Sequence, residues 1–392
     1  MQVTQQKINF NALRAKSFLL FFIIIIAQLF YITVLTKFEF QNFATLAIVG
    51  FVSWFLLNCL IKGSDEWSVQ RFRSRWFTLL FFASATSTLL FSRSEYISST
   101  ILNGLAATRS DQSIGGGGWY SFLNSLFYPL ALLSVFYKKD CWESGLFFIL
   151  TLTVCIIDVV FLGTRNSVFF VIIFWFLFSE NFDFKNGVKG YISLLFISVV
   201  FLTGFEYTTR VRSGFEGDPL DYWLEKAVES QVMAASELNT STYESFGAVS
   251  SAFLPLFYLV AYVSHSIPEF LTFIRNFDNW FGTLAHLHLY YLAFTFQNTA
   301  LVDEYLAILK FRPGYYQTFY ASMIVDFGVF ALLVPAFAIV AFLKKNTFLI
   351  AKIYLVPVFV LSTIENYLYT GLTPLRFLIF IVLGHFFLKV RK

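Results

Sequence analysis

Ser17-Phe-Leu-Leu-Phe-Phe-Ile-Ile-Ile-Ile-Ala-Gln-Leu-Phe-Tyr-Ile-Thr-Val-Leu35 carries no charged side chain. At about 1.5 Å of rise per residue, a helix over this run nearly matches the roughly 30 Å hydrocarbon core of a bilayer. No small-residue cleavage site ends it, so it reads as a retained anchor and not as a cleavable signal. Comparable apolar runs recur at 44–61, 76–91, 120–137, 145–163, 167–178, 191–207, 318–343, 347–367 and 373–389, the sixth of the ten being short. Backbone in lipid must satisfy its own hydrogen bonds, so each run predicts a helix. The fold class expected is all-α, a polytopic transmembrane helical bundle of ten core spans. Segments of about 10 residues with alternating polarity, the mark of a membrane β-barrel, do not occur.

Composition agrees. The chain has 392 residues, 57% of them hydrophobic and 21% aromatic, with only 13% charged. Soluble domains carry about 25% charged residues. A net charge of +4 fits basic loops on one membrane side better than nucleic-acid binding. Cys59 and Cys155 fall inside apolar segments and Cys141 in a short basic loop, which gives no disulfide framework.

Lysine and arginine set the orientation. Lys7, Arg14 and Lys16 precede the first run, and Lys62, Arg71, Arg73 and Arg75 follow the second. Lys138-Lys139, Lys185 with Lys189, Lys344-Lys345 and Lys389, Arg391 and Lys392 complete six clusters. All six fall on one side if ten segments span, and the positive-inside rule makes that side cytoplasmic, with both termini there. Three regions follow: a bundle of seven spans over 1–207, a large periplasmic loop over 208–317 and a bundle of three spans over 318–392. Two apolar stretches inside the loop, 251–264 and 281–297, are either interfacial or half-inserted helices or two further spans. The second choice makes twelve and preserves the orientation.

The loop opens on Phe205-Glu-Tyr-Thr-Thr-Arg-Val-Arg-Ser-Gly-Phe-Glu-Gly-Asp218, two arginines and three carboxylates where an apolar run stops. Arg93, Arg109, Arg165, Arg210, Arg212, Arg275, Arg312 and Arg376 all map to this outer side, which should be poor in arginine. Guanidiniums at helix ends suit a membrane-anchored phosphate or pyrophosphate, because they keep their charge and fork onto phosphate oxygens. The plain alternative is side chains that snorkel to lipid headgroups.

Asp158, Asp326 and Glu365 lie inside spans, where an Asp costs about 2.5–3.5 kcal/mol, so each is expected to meet a partner or line a cavity. Asp158 shares a helix face with Arg165 but is roughly 10 Å from it along the axis. An arginine-holding role is the leading expectation for Asp158 and Glu365. His286 and His288 face opposite ways on a helix, which makes a poor joint metal site. Either histidine suits a surface role or a base near neutral pH. Gly115–Gly118 reads as a loop tip. No P-loop, HExxH, CxxC or GxSxG pattern occurs, so no nucleotide, cofactor or metal is expected.

Gly163-Thr-Arg-Asn166, the pair Arg210 and Arg212, and Arg312-Pro-Gly-Tyr-Tyr-Gln-Thr-Phe-Tyr320 running into Asp326-Phe-Gly328 resemble Wzy-type O-antigen polymerases. The plan is also similar to the wider superfamily of O-antigen ligases and cell-wall glycan polymerases, with a GT-C-type architecture. The likeness runs from about Arg109 to Arg376. It departs from the family in having one large outer loop instead of two comparable ones.

The resemblance implies a metal-independent, inverting membrane glycosyltransferase of the bacterial inner membrane with its active site on the periplasmic side. It would transfer a growing undecaprenyl-pyrophosphate-linked glycan onto the non-reducing sugar of an incoming lipid-linked repeat unit. Membrane lipids and a chain-length regulator protein are the other partners expected, and nucleic acid is not one.

Under that reading Arg210, Arg212 and Arg165 stabilise the departing pyrophosphate, with Arg312 in support. Glu216, Asp218 or His288 takes the acceptor proton. Tyr207, Tyr315 and Tyr316 meet sugars, and Arg109 and Asp326 belong to the substrate-binding set. A lipid-linked oligosaccharide flippase and an O-antigen ligase are the competing readings. A flippase should show repeated halves and charges at mid-membrane.

Overall fold

A computed structural model describes residues 5–7, 10–35, 39–61, 68–94, 97–99, 101–102, 119–139, 141–159, 166–179, 259–260, 263–264, 266–276, 281–285, 318–331, 333, 349–365, 367–368 and 373–391. These residues are mostly helical, as the all-α expectation requires. Helices α1 (Phe10–Phe30, extended by a π turn over Tyr31–Leu35) and α2 (Phe40–Ile61) are long and apolar enough to cross a membrane. Shorter helices coincide with other apolar runs: α3 (Arg75–Ser87), α4 (Trp119–Leu133), α5 (Trp142–Ile157), α6 (Asn166–Phe178), α8 (Phe319–Phe327), α9 (Leu349–Val360) and α10 (Thr373–Phe387). The run at 191–207 lies outside the described residues.

The chain divides into two compact units. The first comprises 1–16, 63–222 and 375–392, and the second 17–62 and 223–374.

In the first unit, strands β1 (Gln5–Lys7), β2 (Ser68–Gln70) and β3 (Lys389–Arg391) form an antiparallel sheet in the order β1-β2-β3. Sequence reading assigned no strand there, because three residues per strand are too few to show an alternation. The sheet ties the two ends of the chain to the loop before α3. Phe72 carries that loop onward: its amide donates to Phe136 O at 3.2 Å and its carbonyl accepts from Lys138 N at 3.0 Å. Lys16 Nζ donates to Ser179 O at 3.1 Å, just past the end of α6. Basic segments widely separated in sequence therefore collect at one end of this unit.

Ser74 starts α3 by accepting from Phe77 N at 3.4 Å, satisfying an otherwise orphaned first-turn amide. The core beside it is aromatic. Phe77, Phe81 and Phe147 are fully buried, with ring centres of Phe81 and Phe147 4.4 Å apart and those of Phe77 and Tyr137 5.7 Å apart. Each such pair contributes about 0.5–1.5 kcal/mol beyond area burial. Pro129 sits within α4, where it removes one backbone donor.

In the second unit α2 packs on α9 and on α7 (Ser266–Asn276). Helix α7 falls between the two apolar stretches of the expected loop, where the sequence reading placed no element. Its strong one-sidedness explains the omission: Ile267, Phe270 and Phe273 are buried while Arg275 is exposed, so no continuous apolar run marks it. Residues 281–285, the described start of the second stretch, form a turn instead of the helix expected there.

Helices α8 and α9 are both cut short. Thr318 caps α8, its hydroxyl accepting from Ala321 N at 3.1 Å, and Gly328 ends it at φ 55°. Gly282, at φ 84°, lies against that turn so closely that a Cβ there would be 2.3 Å from Asp326 O. Thr283 N donates to Val325 O at 2.8 Å and Leu284 N to Asp326 O at 3.2 Å, which docks the 281–285 turn on the end of α8. Beyond α9 the chain turns at 361–364. Gln28 Nε2 donates to Val263 O at 2.8 Å and Thr363 O at 3.2 Å, and Ser266 Oγ donates to Thr363 O at 2.8 Å.

Candidate functional site

Four helix ends and one helix interior build a polar cluster in the first unit. Arg93 follows the π turn Thr88–Ser92 that closes α3, and Asp158 caps the C-terminus of α5. Ser167 is the second residue of α6, Arg376 the fourth of α10, and Tyr128 points from within α4. Because α5 is 16 residues long, roughly 24 Å separates Asp158 from the basic end where α5 begins.

The geometry is a chain of contacts. Arg93 forks onto Asp158, Nε to Oδ1 at 2.6 Å and Nη2 to Oδ2 at 3.1 Å. The Tyr128 hydroxyl donates to the same Oδ2. The guanidinium carbon of Arg376 sits 4.4 Å from the centre of the Tyr128 ring, and Arg376 Nη1 donates to Ser167 Oγ at 2.6 Å. Arg93, Asp158 and Tyr128 are 5%, 1% and 3% exposed, whereas Arg376 is half-buried. A bidentate arginine with a third donor satisfies most of the carboxylate's lone pairs, which makes a buried charge tolerable.

The expected arginine-holding role of Asp158 is observed, but the arginine is Arg93, 65 positions away in sequence. Arg93 and Arg376 both belong to the arginine set that sequence assigned to the outer side. Tyr128 and Ser167 were missed; a hydroxyl inside an apolar run was the only signal either gave.

Arg109, Arg165, Tyr207, Arg210, Arg212, Glu216, Asp218, His288, Arg312, Tyr315 and Tyr316 lie outside the described residues. Asp326 is described. It is 1% exposed, next to last in α8, and belongs to the second unit with the turn that docks on it. Also in that unit, exposed Arg275 donates to the Gln41 side chain and lies 3.7 Å from Glu39 Oε2. Among the described residues no group of three or more His, Cys, Asp or Glu side chains is placed to hold a metal ion.

At the basic end of the first unit, Arg73 Nη2 donates to Glu143 Oε1 at 3.0 Å. Hydrogen bonding from its own backbone amide, then the Arg73 partner, holds the Glu143 carboxyl below its ordinary range against the opposing effect of burial. The same partnership raises Arg73.

No family model, no curated protein and no solved structure matches the chain.

Proposed function

We propose that this chain is a membrane-embedded glycan polymerase of the Wzy type. It extends an undecaprenyl-pyrophosphate-linked glycan by transferring it onto the non-reducing sugar of an incoming lipid-linked repeat unit. In this reading the ten-span bundle lies in a bacterial inner membrane with both termini cytoplasmic and the chemistry periplasmic. The hydroxyl of the incoming sugar attacks the anomeric carbon of the growing chain, the bond to the pyrophosphate breaks, and the acceptor proton goes to Glu216, Asp218 or His288. Negative charge builds on the departing pyrophosphate. Arg165, Arg210 and Arg212, with Arg312, stabilise it, each such contact being worth a few kcal/mol in a dry site.

One observation carries the reading beyond the sequence resemblance. In the first unit one small sheet joins both chain ends to the basic loop before α3, while Arg93 and Arg376 stand at the other ends of α3 and α10. Arg93 meets its counter-charge in Asp158, so what this placement supports is the orientation: two arginines of the set expected on the outer side stand away from the basic end. Exposed apolar stripes support the membrane setting: Phe148, Leu152 and Ile156 on α5, and Leu378, Val382 and Phe386 on α10.

The flippase reading draws on α9, which ends at Val360 inside an apolar run, as discontinuous helices of transporters do. Expression in a strain that lacks its surface-polysaccharide polymerase separates the two. A restored ladder of glycan lengths, lost in both Arg210→Ala and Arg212→Ala at normal protein levels, is the polymerase result. A single capped unit with the protein present overturns it.

A further inference from the structure

We propose that Arg93, Tyr128 and Arg376 clamp the two ends of the connection between α5 and α6, and are thereby positioning residues for Arg165. The task given to Arg165 rests on the polymerase reading; the clamp rests on geometry alone. Asp158 caps α5 and Ser167 is the second residue of α6, so the chain between them carries Gly163-Thr-Arg-Asn166. Each end is tied by a different arginine. Arg93 forks onto Asp158 at 2.6 and 3.1 Å, and Arg376 Nη1 donates to Ser167 Oγ at 2.6 Å. Tyr128 joins the two ties: its hydroxyl donates to Asp158 Oδ2, and its ring centre lies 4.4 Å from the Arg376 guanidinium carbon. A continuous path of contacts therefore runs from one end of the connection to the other.

Two features separate a clamp from ordinary cohesion of helices. The first is place. Helices α5 and α6 also meet where Phe148 and Trp175 stack with ring centres 5.0 Å apart, but Phe148 is roughly 15 Å from Asp158 along α5. Apolar surface supplies cohesion there, whereas at the ends of the connection the path runs through α4 and α10. The second is chemistry. A buried ion pair holds helices together no better than apolar residues of similar volume, but a forked guanidinium fixes the direction of the carboxylate it grips. The phenol of Tyr128, held at Cβ and at the oxygen, carries that direction to Arg376. Arg165 stands two residues before Ser167, a reach of at most about 7 Å between α-carbons. Placing Ser167 therefore confines Arg165. A cation that meets a departing pyrophosphate needs such confinement, since a misplacement of about 1 Å can cost about 100-fold in rate.

The test reads the connection itself, in the full-length protein in lipid nanodiscs. The exposed thiol is removed by Cys59→Ser, and spin labels are attached through Leu162→Cys and through Trp142→Cys at the exposed start of α5. Without further substitution, one narrow distribution of label–label distances is expected. Ser167→Ala unties one end of the connection, and Tyr128→Phe cuts the link between the two ties. Each should raise the share of displaced distances about five- to tenfold, the effect of one hydrogen bond. Ser167→Ala keeps the test running if Tyr128→Phe does not fold. In the strain used for the glycan ladder, Ser167→Ala should lower the yield about 10- to 100-fold at normal protein levels. Ser167→Thr, which keeps the hydroxyl, should restore both the narrow distribution and the ladder.

A distribution already broad before Ser167 or Tyr128 is changed, or one that neither variant alters, overturns the clamp. Broadened distances with an undiminished ladder overturn the positioning of Arg165 and leave the polymerase standing. Distances that Ser167→Ala broadens and Ser167→Thr restores, in a protein that gives no ladder, support the clamp while the polymerase reading falls.

Discussion

Where α5 ends in the first unit, the buried polar groups are ions: Asp158 is gripped by Arg93 and Tyr128. Where α9 ends in the second unit, neutral side chains bind the turn at 361–364. Gln28 and Ser266 donate to main-chain oxygens, and Tyr320, Ser53 and Ser362 share hydroxyl hydrogen bonds of 2.8 Å. The partners differ because the tasks differ. A helix that stops inside an apolar run exposes carbonyls, and an amide or hydroxyl satisfies them at little desolvation cost. An arginine taken out of water needs a full counter-charge. Neutral bonding fixes backbone in the second unit, and ionic bonding fixes a cation in the first.

That contrast is broken most sharply at Asp158. Asp158→Ala leaves Arg93 buried without its carboxylate, and unfolding stability should fall by about 3–5 kcal/mol. Arg93→Leu combined with Asp158→Leu should recover most of the loss, because the burden is uncompensated charge and not missing volume. Reversible unfolding in mixed micelles measures both. A mild Asp158→Ala, or a double variant as unstable as the single one, would show that the first unit handles buried polarity as the second does.

The second unit should yield instead at its backbone. Gly282→Ala forces a side chain onto φ 84°, with its Cβ 2.3 Å from Asp326 O, 2.8 Å from Asp326 C and 2.9 Å from Gly328 N. All three are main-chain atoms and none can swing aside as a flexible side chain would. Strain at such a torsion costs about 1–3 kcal/mol before the clash is relieved. The turn 281–285 should undock from α8, read as faster amide exchange at Thr283 and Leu284. Unchanged exchange at both would mean that the turn is not held by the close approach.

What sequence made legible follows the same division. Helices were legible where a run of apolar residues was unbroken, as over α2, α6 and α10. They were not where burial is one-sided, as over α7, or where a helix stops before the run does, as after α8 and α9. The need of Asp158 for an arginine was legible from the energetics of a carboxylate in an apolar segment. Its partner was not, because Arg93 reaches it through packing of α3 against α4 and α5, and no spacing rule encodes that. Tyr128 was hidden among the 20 tyrosines of the chain, in an apolar run that also carries the hydroxyls of Tyr120, Ser121, Ser125, Ser134 and Tyr137. The three short strands lacked length enough to differ from loop.

Arg73 and Glu143 extend the comparison to an ion pair at the edge of the first unit, where Arg73 is mostly exposed, and here the effect should be smallest. The native carboxyl titrates below its ordinary value of 4.5, so on acidification the unfolded chain takes up its proton first. The stabilisation is complete above the unfolded value and drains away as the pH falls through the lower native one. The difference in melting temperature between wild type and Glu143→Gln should therefore be largest near neutrality and shrink below about pH 4.5. Added salt should also narrow it at pH 7, because solvent reaches Arg73. Subtracting the variant removes the other carboxylates, which titrate in both proteins alike. A difference that stays constant down to pH 3 would place the Glu143 contribution in packing of its side chain at the start of α5, leaving Arg93–Asp158 as the ion pair on which the first unit depends.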